Sequence, residues 1–383
     1  MKSKSNFLFF VVLVFSAYSC SPKSDGSVSE VIINDNKVYV SDLKNINSTV
    51  ITLPLSKLME ECALVQLETG DDIMVNPWLT TVTDNYIGIR QSRKPFMLFD
   101  RTGKYLRNIG SMGQGPGEYS QTLYDVIIDE KNGFIYFSLF MGDKVLVYTT
   151  SGEFIKYINL SNRMIKPKIF LYNNTLTVIQ EPFSANKSTA FQYDINTGEL
   201  LAELTAPSHF FTNTSNTEVF ITRNTSMVFD FSLFLVSDTL YHFDANNFKI
   251  LPFFTLSDNT TEGIAKQYIQ LNKDLCLIKL FDKDQRMVAT DLKNKSSRFV
   301  NIVNDYYGNL PVSANITMFQ NGYFVFNIQP EQLMDDINKR LSESSCSEKD
   351  RLKLKELLST LKENTNNVVF IGKLKSEVKA KLW

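Results

Sequence analysis

The sequence predicts an all-β fold, a six-bladed β-propeller with a short helical insertion in its last blade. Three observations lead there. A hairpin signature returns five times at a near-constant interval, the composition is rich in the aromatics that strands favour (29 Phe and 16 Tyr), and strand-like segments near both chain ends can complete one more blade. A fixed period of roughly 40–50 residues is the mark of a repeat architecture built from one supersecondary unit.

Taken in chain order, the first element is an export signal. Lys2 and Lys4 form a basic region ahead of the apolar run Phe7 to Phe15. Nine apolar residues fall well short of the ~20 that span a bilayer, so the run addresses the chain to export and does not cross a membrane. Ser16, Ala17, Tyr18, Ser19 and Cys20 follow, a pattern similar to the bacterial lipoprotein box in which the cysteine takes lipid. Residues 1–19 are therefore expected to be a lipoprotein signal peptide and Cys20 the lipidation site, with an ordinary signal cleaved near Ser19 as the alternative. Several acyl chains on one cysteine anchor stably, at about 0.8 kcal/mol per buried methylene. Residues 20–47 are polar, with SPKSDGS near their start, and read as a flexible tether into a propeller over residues 48–383.

The repeat begins with Phe96–Asp100, a turn at Gly103, and Tyr105–Ile109. It returns as Val145–Thr149 with Gly152, Phe191–Asp194 with Gly198, Leu240–Asp244 with Asn247, and Met287–Asp291 with Asn294. These turn residues lie 49, 46, 49 and 47 positions apart. Glycine and asparagine tolerate the left-handed backbone that such turns use, so all five are expected there, with valine disfavoured and asparagine tolerated at Gly103 and Gly152. A preceding strand pair, such as Asp125–Asp129 and Phe134–Leu139, brings each unit to the four strands of a propeller blade.

The sixth blade is split. Ile316–Phe319, Tyr323–Ile328 and Val368–Leu374 supply three strands, and Ala63–Glu68 supplies the last, which closes the ring and removes exposed edges. Over residues 331–367 the period changes to helical: Leu333, Ile337 and Leu341, then Leu354, Leu357, Leu358 and Leu361. Two amphipathic helices packed on the rim are expected, decorating the ring without being needed for its folding.

Gly113-Gln114-Gly115-Pro116-Gly117-Glu118-Tyr119, Asp125–Asp129, Gly133-Phe134-Ile135-Tyr136, Asp143–Tyr148 and Gly152-Glu153-Phe154 together resemble an NHL repeat. With Leu64–Thr69, Ser237–Tyr241 and Val368–Lys375 they look like the six-bladed β-propeller lipoproteins of Bacteroidota-type bacteria, over roughly residues 51–375. The resemblance implies a protein of the cell envelope, lipid-anchored to the outer membrane on its periplasmic or surface face, with a recognition role.

No residue pattern supplies a catalytic site. Gly113–Gly117 lacks the Lys-Ser/Thr and helix of a phosphate loop and precedes a strand, which makes it an inter-blade loop. Only His209 and His242 are present, too few for the convergent histidine sites of propeller lyases and lactonases. No cofactor is expected; an oxygen-ligated calcium around Asp125 and Asp143 is the alternative. Cys62, Cys276 and Cys346 are far apart and read as free thiols. A net charge of −1 without a basic stripe excludes a nucleic-acid footprint.

The expected function is non-catalytic recognition of a glycan, peptide or protein partner, with the membrane engaged through the N-terminal lipid. A metal-assisted hydrolase or lyase on the same scaffold is the alternative. Loops on a rigid ring are where binding residues lie. The inter-blade loops and the loops between second and third strands share one face, which makes Gln91, Arg93, Lys94, Tyr119, Phe140 and Met141 the ligand-binding candidates.

Overall fold

The computed structural model describes residues 26–182, 187–211, 217–225, 229–258, 263–312, 317–377 and 383; the expected signal peptide and lipidation site, residues 1–19 and Cys20, lie outside the described residues. Six four-stranded antiparallel blades form the ring, and the sheets of blades four and five are extended to six strands. The first strands of blades one to six are Leu79–Val82, Leu123–Asp129, Lys168–Tyr172, Glu218–Ile221, Lys266–Asn272 and Thr317–Gln320. They stand innermost. Fourth strands lie outside: Leu200–Thr205 has most of its side chains in solvent, whereas Phe96–Phe99 in a third strand is wholly buried.

The core is six apolar clusters, each between consecutive blades. Phe96 and Leu98 of blade one meet Phe137, Leu146 and Tyr148 of blade two. Phe170 and Ile179 of blade three meet Phe229, Phe231 and Phe243 of blade four. This packing explains the phenylalanine-rich composition, since a flat ring on each sheet face fills the wedge between blades.

The predicted closure is present. Ala63–Gln66 pairs antiparallel with Val368–Lys373, which pairs with Tyr323–Ile328, so both chain ends share blade six. The Gly113–Gly117 segment is an inter-blade loop as expected. Glu118 Oε2 accepts the Gly115 amide at 2.9 Å, and Tyr148 Oη donates to Gly117 O at 2.7 Å.

Three expectations are corrected. Part of the presumed tether is structured: Val28–Ile33 and Asn36–Asp42 form a hairpin whose second strand pairs parallel with Lys249–Ser257 of blade four. Ile51–Pro54 then pairs parallel with Ser296–Asn304 of blade five. Polar residues hide an alternation in which Val28 and Val38 are buried, so the start of the chain wraps the outer edges of blades four, five and six.

The second correction concerns the helices, α1 (Pro330–Ser342) and α2 (Glu348–Thr360), which lie where predicted. They are part of the core and not decoration. Leu333, Ile337, Leu354 and Leu357 are buried in the cluster between blades five and six. Asn309 Nδ2 donates to Asp350 and Lys353 Nζ to Asp305 O, tying α2 to the segment after blade five.

The third concerns the turns. Gly103, Gly152 and Gly198 have positive φ, but in blades four and five the left-handed residues are Phe248 and Lys295, one position beyond Asn247 and Asn294. Those later turns are one residue longer than the first two. Each asparagine instead donates its amide to the preceding aspartate, Asn247 to Asp244 and Asn294 to Asp291, both at 2.7 Å.

Candidate functional site

The innermost strands enclose a cavity of about 290 Å³ on the ring axis, lined by residues from all six blades. Its rim is formed by the starts of these strands, at the end of the ring where inter-blade loops emerge. Among the described residues its inner end is bridged, which makes it a funnel. After Ile221 the chain of blade four leaves its sheet and crosses the axis. There Asn224 Nδ2 donates to Gln270 O of blade five and Phe319 O of blade six, and its Oδ1 accepts the Gly322 amide. Arg223 Nε donates to Ile169 O of blade three at 3.0 Å, and its Nη2 pairs with Asp125 of blade two. Beyond this plug a second cavity, lined by Asp84, Glu130, Arg223 and Tyr323 among others, opens toward the other face.

The charges in the funnel are arranged by strand position. Asp125, third on its strand, accepts the Ile169 amide at 2.8 Å as well as Arg223, so that pair neutralises itself. Lys168, first on its strand, lies 3.4 Å from Glu218 and 4.4 Å from the Tyr124 ring centroid. Tyr124 Oη donates to Glu218. Arg90, last on the second strand of blade one, is 5% exposed, and its guanidinium lies 4.5 Å from the Trp78 ring. Its Nε and Nη1 are buried and bond no group among the described residues. Burial pushes Arg90 and Lys168 below their ordinary values, against the pull of Asp125 and Glu218. Setting the Arg223–Asp125 pair aside, two cations face one carboxylate.

The sequence-derived candidates fall around this funnel but not in its lining. Tyr119 is buried, its hydroxyl accepting the Phe96 amide and donating to Ile109 O, so it staples blades one and two. Gln91 is buried too, with Oε1 accepting the Asn76 amide at 2.8 Å and Nε2 donating to Met97 Sδ. Neither side chain is open to a ligand. Arg93, Lys94 and Met141 are exposed on loops between second and third strands, and Phe140 packs 5.8 Å from the Tyr124 ring. The lining residues Trp78, Arg90, Tyr124, Lys168 and Glu218 were missed. Their one local signal is charge at the ends of otherwise apolar strands, as in YIGIR and KIFLY.

Catalytic chemistry finds little to build on. His242 Nε2 bonds Gln270 Oε1 at 2.7 Å and its ring stacks on Phe253. Asp125 is spent on Arg223, while Asp143 is exposed on the third strand of the same blade, with the second strand between them. Among the described residues no three His, Cys, Asp or Glu side chains gather as a metal site, and no helix is long and apolar enough to cross a membrane. Cys62, Cys276 and Cys346 are free thiols.

Two solved structures share the fold. A Bacteroides fragilis protein described as a candidate exported protein is 16% identical, with a TM-score of 0.60 over 85% of this chain and 100% of that one. A member of the DUF4221 family from Bacteroides vulgatus is 10% identical, with a TM-score of 0.50 over 84% of this chain and 98% of that one. No curated protein matches the sequence. The model of one family spans residues 38–373, from the outer hairpin to the closing strand, and the chain belongs to that family, the Domain of unknown function (DUF4934).

Proposed function

We propose that this chain is an exported, non-catalytic binding module, anchored to the outer membrane by lipid on Cys20, that holds a small ligand or the end of a glycan or peptide in its axial funnel. The observation that carries the reading is the plug: Arg223 and Asn224 close the ring axis beneath the six inner strands, leaving a blind, mixed polar and aromatic cavity on a rigid scaffold. The apolar run before Cys20 supports export, as does the description of the B. fragilis neighbour.

The test is a binding screen of the full chain in detergent against glycan, peptide and small-acid panels, beside a Leu79→Trp variant that fills the funnel. A ligand that raises the melting temperature of the wild type and not of the variant is expected. Sustained turnover of a glycan or lactone would contradict the non-catalytic reading. For the anchor, Cys20→Ala is expected to move the protein out of the membrane fraction without unfolding it; unchanged fractionation would contradict lipidation.

A further inference from the structure

We infer that the funnel takes a small monocarboxylate, with its carboxylate on Arg90 and its body against Trp78 and Tyr124. The inference rests on the reading of the funnel as the binding site and adds the class of ligand.

An arginine that is 5% exposed with two unpartnered nitrogens is costly, because a buried charge is normally paired or fully hydrogen-bonded. Trp78 covers one face of the guanidinium, and Nη2, the nitrogen that is not closed off, is the donor a ligand in the funnel would meet first. A planar fork of donors matches a carboxylate.

The charge count selects a single negative charge. Asp125 pairs with Arg223, and Lys168 lies 3.4 Å from Glu218, so Arg90 is the lining cation without an ion pair. A dianion such as phosphate would leave an excess negative charge close to Glu218. A monoanion gives Arg90 the ion partner it lacks.

Size and surface set the rest. At about 30 Å³ per water, 290 Å³ holds about ten waters, the scale of one sugar or one aromatic ring. Phe220, Ile221 and Met318 add apolar wall opposite the charged rim. Acidic sugars and aromatic acids share the chemistry required.

The experiment uses Trp78 as reporter. The chain has two tryptophans, and Trp383→Phe leaves Trp78 alone. The full chain in detergent is titrated with glucuronate, benzoate, inorganic phosphate and glucose at fixed ionic strength, and Trp78 emission is followed. Saturable binding of glucuronate or benzoate is expected, at least tenfold tighter than glucose or phosphate. Whichever acid binds more tightly identifies the source. Arg90→Gln is expected to weaken that binding by about ten- to hundredfold, the scale of a hydrogen bond to a charged group. It should melt close to wild type, because the charge it removes is buried without an ion pair and gives up only its stacking on Trp78. Lys168→Met provides the second variant should Arg90→Gln fail to fold, and should weaken the acid without changing glucose. Glucose binding as tightly as the acids, indifferent to both variants, overturns the inference and leaves the funnel as a binding site. Response to neither acid overturns it as well.

Discussion

Arg223, on the loop that leaves blade four, pairs across the ring axis with Asp125 on the inner strand of blade two. Both side chains are almost wholly buried, and Arg223 holds this position with a left-handed backbone, φ +53°. The pair joins non-adjacent blades and forms part of the funnel floor. Removing one partner leaves a buried charge, so Asp125→Ala is expected to destabilise by about 3–5 kcal/mol in chemical denaturation. The double variant Asp125→Ala with Arg223→Met should recover part of this. A loss below about 1 kcal/mol in the single variant would show that the pair is solvated, and that the floor is open.

Blade four also carries a pH signature. Asp230 and His242 are direct cross-strand partners. Burial raises Asp230 from 3.8 to about 6 and lowers His242 from 6.5 to about 4. Between pH 4 and 6 folded Asp230 keeps a proton that the unfolded chain releases, so its contribution to stability falls as pH rises. Over pH 4 to 6.5 unfolded His242 binds a proton that the folded chain refuses, so its contribution rises with pH. The slopes oppose, each worth roughly 3 kcal/mol across its window. Relative to wild type, His242→Gln should lose stability as pH rises through this range and Asp230→Asn should gain it. Denaturation at several pH values checks this; parallel profiles in all three proteins would contradict it.

The turn glycines are not equivalent. At Gly103, φ +90°, an added Cβ would lie 2.1 Å from Gln66 O in the strand Ala63–Gln66, whereas at Gly152, φ +91°, the nearest atom is 3.4 Å away. Gly152→Asn is expected to cost about 1 kcal/mol, the strain of the left-handed region alone. Gly103→Asn should cost that strain plus about 1–3 kcal/mol for overpacking against a backbone carbonyl that cannot yield. Equal melting shifts in the two variants would contradict this.

The helices belong to the ring's core. Leu354→Ala, at a side chain with no exposure, is expected to cost about 2–5 kcal/mol, while Leu352→Ala, 70% exposed, should be near neutral. Excising residues 331–364 should therefore destabilise as severely as deleting the closing strand Val368–Lys373. Survival of the excised chain with an unchanged melting temperature would return the helices to a decorative role.

The blades were legible because a third strand, a tight turn and a fourth strand are local: Phe96–Asp100, Gly103 and Tyr105–Ile109 can be read without the rest of the chain. Closure was legible because Ala63–Glu68 and Val368–Leu374 are strands with no neighbour in sequence. The outer hairpin was not, since its buried positions are Val28, Val38 and the polar Ser41, too few and too mixed to show an apolar alternation. The funnel was illegible for a different reason. Arg90, Lys168 and Glu218 are single charges in separate strands, and nothing but the closed ring brings them together.

The central claim, that the funnel is where this protein binds, is tested most directly by hydrogen exchange with and without the tightest ligand from the screen. Each inner strand is a sheet edge, and those of its amides that face the axis without a side-chain partner exchange freely until a ligand excludes water. Slowed exchange is predicted in Leu79–Val82, Leu123–Asp129, Lys168–Tyr172 and Glu218–Ile221 together, with α1, α2 and the outer hairpin unchanged. Protection confined to the helices or to the outer hairpin, with the inner strands unaffected, would contradict the account.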